Sequence, residues 1–245
     1  MKKEWFAEWF DSPYYHILYK NHDETEAKTA LDNLLNTMGL PTESRILDLA
    51  CGKGRHSKYL AEKGFDVTGL DISMASIAFA RQFEHERLTF YQHDMRLPFR
   101  MNYYDAVMNM FTSFGYFKTD ADHLKTLINV SKGLRKDGLF LLDFFNAQWV
   151  RDNIVSQAEK TVEGITFQLH KTIRKGYVYK TVDFKTGGKH FEFREKVRLF
   201  DLQDFQNLFD KAGLELIKTF GSYALEPYNP LVSKRLILLA RKKPI

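Results

Sequence analysis

The side chains best placed to hold a polar ligand are three carboxylates, Asp48, Asp71 and Asp94, together with the pair Gly52-Lys53-Gly54. Two glycines one residue apart let a backbone turn tightly and come close to a ligand with no side chain between. Asp71 lies 17 positions beyond Gly54. An acid at that distance, at the end of the next strand, can accept both hydroxyls of a ribose. Cys51, the one cysteine of the chain, sits inside the glycine loop. A small residue is needed there for steric reasons, so a catalytic thiol is not expected.

A glycine pair alone is weak evidence, and its weight comes from the elements around it. Ile46-Leu47-Asp48-Leu49-Ala50 is a short apolar run that reads as a buried parallel strand. Arg55 to Lys63 has helical spacing (His56, Tyr59, Leu60), with Gly64 as its terminating residue. Phe65 to Leu70 is a second strand that delivers Asp71 at its end. Strand, Gly-x-Gly, helix, strand and acid together make a mononucleotide-binding βαβ unit.

Composition narrows the field. A chain of 245 residues with 44% hydrophobic and 27% charged residues buries one large core, or a core and a small appended unit. No apolar run approaches the roughly 18 residues of a membrane span. The opening MKKEWFAEWF has acids within its apolar stretch and no small-residue cleavage site, unlike a signal peptide. A single cysteine excludes an internal disulfide and cysteine-cluster metal sites, so no metal and a cytoplasmic location are expected. The formal charge of +5 is local: residues 160–198 carry ten Lys/Arg against four acids, and the remainder is slightly acidic. Such a segment suits an acidic small molecule or a nucleic-acid backbone, but exposed strand lysines also serve solubility.

Along the chain, Trp5, Phe6, Trp9 and Phe10 form a helical stripe broken by Pro13, and Tyr15 and Tyr19 follow. This segment is either a packed helix or a lid whose tyrosines close over a ligand. Glu24 to Met38 is an amphipathic helix (Ala27, Ala30, Leu31, Leu34, Leu35, Met38) ended by Gly39 and Pro41. Ser73 caps a helix to about Phe83. Leu88 to Gln92 is a third strand leading to His93-Asp94-Met95, and Asp105 to Met110 a fourth leading to Phe111-Thr112-Ser113-Phe114-Gly115-Tyr116. Asp120 caps a helix through Leu134, and Leu139 to Phe144 is the fifth strand. Period-2 alternation then marks three antiparallel strands, Ile165 to Arg174, Tyr177 to Phe184 and His190 to Leu199, with glycine turns between. A helix over Asp201 to Ala212 and strands over Leu214 to Phe220 and Leu236 to Arg241 complete the chain.

With these elements in place, Asp48-Leu49-Ala50-Cys51-Gly52-Lys53-Gly54, Asp71, His93-Asp94-Met95 and the closing strand pair resemble class I S-adenosylmethionine-dependent methyltransferases. The motif resemblance spans roughly residues 40–145, and the topological one residues 200–241. It implies an α/β fold: a Rossmann-like, mostly parallel seven-stranded sheet with a C-terminal antiparallel strand, plus the inserted antiparallel β-meander. Residues 1–144 would hold the N-terminal helices and cofactor core, 145–200 a substrate lid or homodimer module, and 201–245 the rest of the core.

The cofactor implied is S-adenosyl-L-methionine. Ala50, Cys51, Gly52 and Gly54 would admit its methionine part, with Arg55 flanking it. Asp48 would hold its ammonium group through water, Asp71 with Ile72 its ribose, and Asp94 with Met95 its adenine. Asn109 and Phe111 would stand near the methyl group, and Tyr116, Tyr15 and Tyr19 are the candidate catalytic wall, since aromatic faces suit a sulfonium cation.

Asn109-Met110-Phe111-Thr112 lacks the Asn/Asp-Pro-Pro-aromatic sequence of enzymes acting on exocyclic base amines. No cysteine follows the fourth strand, as a cytosine C5 mechanism would need. Phe-x-Ser-x-Gly-Tyr followed by an antiparallel insertion resembles the small-molecule N-methyltransferases of amino sugars and glycine. Two alternatives stay open: an RNA methyltransferase or RNA-binding protein using the basic meander, and an NAD(P)-dependent dehydrogenase reading Gly52-x-Gly54-x-x-Ser57 as a dinucleotide fingerprint. The alternating aromatics Tyr177, Tyr179, Phe191 and Phe193 are expected on one buried face, which counts against base stacking.

Overall fold

The computed structural model describes residues 4–20 and 24–244, with side chains from Lys28 onward in the second span. The Ala27 side chain, expected in the core, lies outside the described residues. The elements in order are α1 (Trp5–Phe10), α2 (Pro13–Leu18), α3 (Glu24–Met38), β1 (Arg45–Leu49), α4 (Arg55–Glu62), β2 (Asp66–Asp71), α5 (Met74–Ala80), β3 (Leu88–Gln92), β4 (Tyr104–Asn109), α6 (Asp120–Gly133) and β5 (Leu134–Phe145). Then follow α7 (Ala147–Asn153), β6 (Gln157–Val162), β7 (Ile165–Arg174), β8 (Tyr177–Thr186), β9 (Lys189–Arg198), α8 (Leu202–Lys211), β10 (Leu214–Phe220) and β11 (Arg235–Lys242).

Seven strands form one sheet in the order β10-β11-β5-β4-β1-β2-β3. β1 pairs in parallel with β2 and β4, β2 with β3, and β4 with β5, while β11 runs antiparallel to both β5 and β10. Central strands of such a sheet are covered on both faces, which is why β1, β4 and β11 read as nearly continuous apolar runs. One face packs under α6 and α8 through Leu127, Val130, Phe205 and Phe209. The other packs under α3, α4 and α5 through Leu31, Leu34, Leu60 and Ile77. These are the helix positions spaced three and four apart, as burial of one helical face requires.

The second sheet, β6-β7-β8-β9, is an antiparallel meander of four strands, one more than the sequence periodicity gives. β6 escapes the pattern because QAEKTV exposes nearly every side chain. The inner face of the meander (Val162, Phe167, Val182, Phe184) packs against α1 and α2 through Trp9 and Leu18. Burying such side chains contributes about 1.5–3 kcal/mol each, so the N-terminal aromatics are a packed unit. Two other expectations shift. β5 begins at Leu134 rather than Leu139, with a register irregularity opposite Tyr104/Ala106. The cap of α6 is Thr119, whose side chain accepts from the Asp122 N–H, so Asp120 is the first helical residue.

Candidate active site

A cavity of about 820 Å³ opens at the carboxyl ends of β1, β2, β3 and β4, where open α/β sheets place their ligands. Its floor is the loop after β1. Ala50 (φ +64°), Gly52 (φ +55°) and Gly54 (φ +78°) adopt left-handed backbone, and the turn is locked by Cys51 N–H donating to Leu70 O (2.9 Å) and Gly54 N–H to Cys51 O (3.0 Å). Asp71 Oδ2 accepts the Gly52 N–H and Oδ1 the Ser73 N–H, each at 2.8 Å. Each oxygen keeps lone pairs for a ligand hydroxyl. Burial raises the Asp71 pKa, and the Ser73 and Gly52 N–H groups oppose that rise.

Asp48 is 2% exposed, and Ser57 Oγ donates to its Oδ2 at 2.6 Å. Burial, only partly offset by Ser57, pushes its carboxyl up to about 6. A cation beside it would restore the charged form. Cys51 is buried, and burial together with Asp48 and Asp71 pushes its thiol well above the ordinary range. A Cβ added at Gly69 would stand 2.9 Å from Cys51 Sγ and 2.5 Å from the Phe90 ring, so the thiol is a packing group.

At the end of β3, Asp94 and Met95 line the cavity with His93. Burial opposes the charge of Asp94, but Arg96 outweighs it and holds the carboxyl low. Arg96 N–H and Nε donate to Oδ1 (2.9 and 3.0 Å), Nη2 to Oδ2 (2.6 Å), and the same guanidinium reaches Glu4 ahead of α1. Ile72 and Arg55 also line the cavity. Arg55 contacts His56 (3.0 Å), whose ring stacks on Phe111 at 4.9 Å and 8°.

Two of the expected residues stand behind this lining. Asn109 is 1% exposed and outside the cavity lining; its Nδ2 donates to Leu49 O (2.8 Å), propping the end of β1. Gly54 is also outside the lining: it caps α4, and a Cβ there would meet the Phe90 ring at 2.6 Å, so its smallness serves the approach of β3.

The upper wall is aromatic. Tyr15, Tyr19 and Tyr116 all line the cavity with Phe6, Phe10 and Phe111. Their hydroxyls differ. Tyr116 donates to Thr112 O at 2.5 Å and Tyr19 to Glu195 Oε1 at 3.0 Å, while the Tyr15 hydroxyl makes no hydrogen bond among the described residues. Burial raises all three phenols well above the usual range, so none ionises near neutrality.

Sequence reasoning missed three residues. Asp143 on β5 has 0% exposure and accepts from Phe111 N–H (2.8 Å), Tyr223 OH (2.7 Å), Arg235 Nε (2.8 Å) and Arg235 Nη2 (2.6 Å). Arg235 also lines the cavity and donates to Thr112 Oγ1 at 3.0 Å. This cluster pins Phe111 (φ +56°) and Thr112 (φ +60°), two consecutive non-glycine residues in left-handed backbone. Glu195 on β9 reaches the cavity from the meander. Its signal was present as one acid in the inward series Phe191, Phe193, Glu195, Val197; Asp143 and Arg235 carried none.

Against known proteins, residues 46–138 match the family model described as a methyltransferase domain. The Bacillus subtilis (strain 168) protein YqeM is 29% identical over 83% of this chain and 86% of its own. A dTDP-3-amino-3,4,6-trideoxy-alpha-D-glucopyranose N,N-dimethyltransferase from Streptomyces venezuelae is 27% identical over 72% of this chain and 77% of its own. In three dimensions the chain shares its fold with an S-adenosylmethionine-dependent methyltransferase from Clostridium acetobutylicum ATCC 824 (TM-score 0.78, 18% identity, 98% of both chains). The matched domain, the strand order and the acid-lined cleft agree: residues 46–138 carry a methyltransferase domain, and the chain has the fold of an S-adenosylmethionine-dependent methyltransferase.

Proposed function

We propose that this methyltransferase acts on the amine of a small molecule. The observation that carries the reading is one continuous cavity with carboxylates on its floor and aromatic rings on its wall. Its 820 Å³ lies within the roughly 300–1,000 Å³ of small-molecule sites, and suits a nucleoside cofactor with a compact acceptor. The Streptomyces venezuelae relative, named for N,N-dimethylation of an amino sugar, supports a nitrogen acceptor.

The residues fit the cofactor by the chemistry of their donor set. Asp71, with Ile72 beside it, would take the ribose hydroxyls, Asp48 the ammonium, and Asp94 with Met95 the adenine. The loop from Ala50 to Gly52, flanked by Arg55, would seat the methionine part. When bound, the cofactor supplies an electrophilic methyl group on a sulfonium, and the protein's share is position, dryness and charge control. Phe111 and the tyrosine rings present π faces suited to a cation. The segment from α1 to Tyr19, packed on the meander, closes the site from water, so residues 145–200 act as a lid module.

A nucleic-acid acceptor has less support. Tyr179 pairs with Lys196 and Tyr177 with Arg198 on the face of the meander opposite Glu195, so these four basic and stacking side chains point away from the cavity. No helix among the described residues is long and apolar enough to cross a membrane, and the single buried thiol suits a cytoplasmic location.

A screen for release of S-adenosylhomocysteine across a metabolite library tests the reading. Turnover of primary or secondary amines is the expected result; turnover confined to hydroxyl, carbon or RNA acceptors would overturn it.

A further inference from the structure

The inner face of the meander is apolar at Phe167, Val182, Phe184 and Val197, yet strand register sets Lys180 opposite Glu195 within it. Their side chains are only 12% and 14% exposed, and Lys180 Nζ lies 3.5 Å from Glu195 Oε1. Burying two charges costs several kcal/mol per ion, and apolar residues of similar size would join the two layers as well or better. A packing role alone therefore does not account for the pair.

Glu195 divides its two oxygens unequally. Oε1 accepts from Trp9 Nε1 (2.8 Å) and Tyr19 OH (3.0 Å) and faces Lys180, whereas Oε2 accepts no hydrogen bond among the described residues. The residue lines the cavity beside a run of rings: Tyr19 to Tyr15 at 4.9 Å, Tyr15 to Phe10 at 5.0 Å and Phe10 to Tyr116 at 5.2 Å. Aromatic faces with one carboxylate on the same wall are the chemistry that recognises an ammonium group.

We propose that Glu195 Oε2 binds the protonated amine of the acceptor and receives its proton. The inference rests on the amine reading above and narrows it: the acceptor is a primary or secondary amine that arrives as its ammonium. One proton passes from nitrogen to Oε2, and the freed lone pair forms the N–C bond. The S–C bond breaks with its electron pair going to sulfur, and Glu195 hands its proton to water. An alkylammonium is about five pK units more acidic than water, so an amine acceptor gives up its proton to a neighbouring base far more readily than a hydroxyl does.

Glu195→Gln tests this, because the amide keeps an oxygen for Trp9 and Tyr19 while losing the charge. Saturation-transfer NMR on protein loaded with S-adenosylhomocysteine, with isopropylammonium and isopropanol as probes, reads the subsite without turnover. Wild type should prefer the ammonium by about tenfold or more, and Glu195→Gln should lose that preference with isopropanol and S-adenosylhomocysteine binding unchanged within about twofold. No preference in wild type, or a preference kept in the variant, overturns the proposal. If Glu195→Gln alone melts early, the pair Lys180→Met with Glu195→Gln leaves no lone buried cation and repeats the measurement. In the product-release screen, amine turnover that Glu195→Gln leaves unchanged overturns this inference and spares the amine reading. Turnover of hydroxyl or carbon acceptors alone overturns both.

Discussion

Removing Asp143 should both destabilise the protein and release the loop that walls the cavity at Phe111. Asp143→Ala deletes one partner of a buried ion pair and leaves Arg235 without its counter-charge. Breaking such a pair costs about 3–5 kcal/mol. The Arg235 side chain is 23% exposed, so water recovers part of this, and the lower end, about 3 kcal/mol, is the better expectation. In a chain of this size each kcal/mol moves the melting midpoint by about 2–4 °C, so the drop should be about 6–12 °C. The loop holds two residues in left-handed backbone, at a cost of roughly 1–3 kcal/mol each. Without the carboxylate that accepts Phe111 N–H, that strain has an outlet, and S-adenosylhomocysteine affinity should fall about tenfold or more. Asp143→Leu combined with Arg235→Leu separates the two effects. Stability should return to within about 1–2 kcal/mol of wild type, while affinity stays low because Phe111 N–H still lacks its acceptor. Calorimetric melting and isothermal titration read both quantities. A single variant that melts like wild type, or a double variant no better than the single, would refute the buried-charge argument; unchanged affinity would refute the loop argument.

The remaining predictions concern the cofactor floor. Asp71→Ala should weaken S-adenosylhomocysteine binding about 100-fold or more by titration calorimetry, since it removes a charged acceptor for two hydroxyls at about 1.5–3 kcal/mol each. Burial raises Asp48 from 3.8 to about 6, so its contribution to apo stability is full below about pH 4 and is lost as pH rises through 6. A bound ammonium needs the carboxylate, so affinity should climb by up to about tenfold per unit between pH 5 and 6 and then flatten, a slope that Asp48→Asn should remove. Gly54→Ala combines a positive φ with a Cβ 2.6 Å from the Phe90 ring and should lower stability by about 1–3 kcal/mol in urea titration. Cys51→Ala should keep methyl-transfer activity within about threefold in the product-release assay, because the thiol is a packing group.

How much of this was legible in the sequence depended on whether a signal was local. The βαβ unit was legible because each part announces itself within a few residues: an apolar run, paired glycines, a helical stripe, then an acid. Asp48, Asp71 and Asp94 follow from standing at strand ends, and the cavity gathers them. Asp143 was not legible. It sits inside the apolar run of β5, and its partners Phe111, Tyr223 and Arg235 are 32, 80 and 92 positions away in the chain. Nothing in any one segment shows that three distant groups converge on it. Asn109 shows the opposite case: a polar residue at a strand end reads as a ligand contact, while its hydrogen bond to Leu49 O, 60 positions away, has no local signal.

The meander shows the limit most clearly. Its aromatic alternation in two strands suggested one buried face, but strand period fixes only which residues within a strand share a side. Which sides of two strands coincide depends on register across the turn. The pairing Tyr179 with Lys196 and Lys180 with Glu195 puts Phe191 and Phe193 inside and Tyr177 and Tyr179 outside. The same register turns the one acid of the inward series toward the cofactor cleft. A slip of one residue in β9 would carry Glu195 to solvent and bring the basic face inward. The charge character of that wall of the cavity is thus set by the strand pairing after Gly187-Gly188, a feature that no composition or motif encodes.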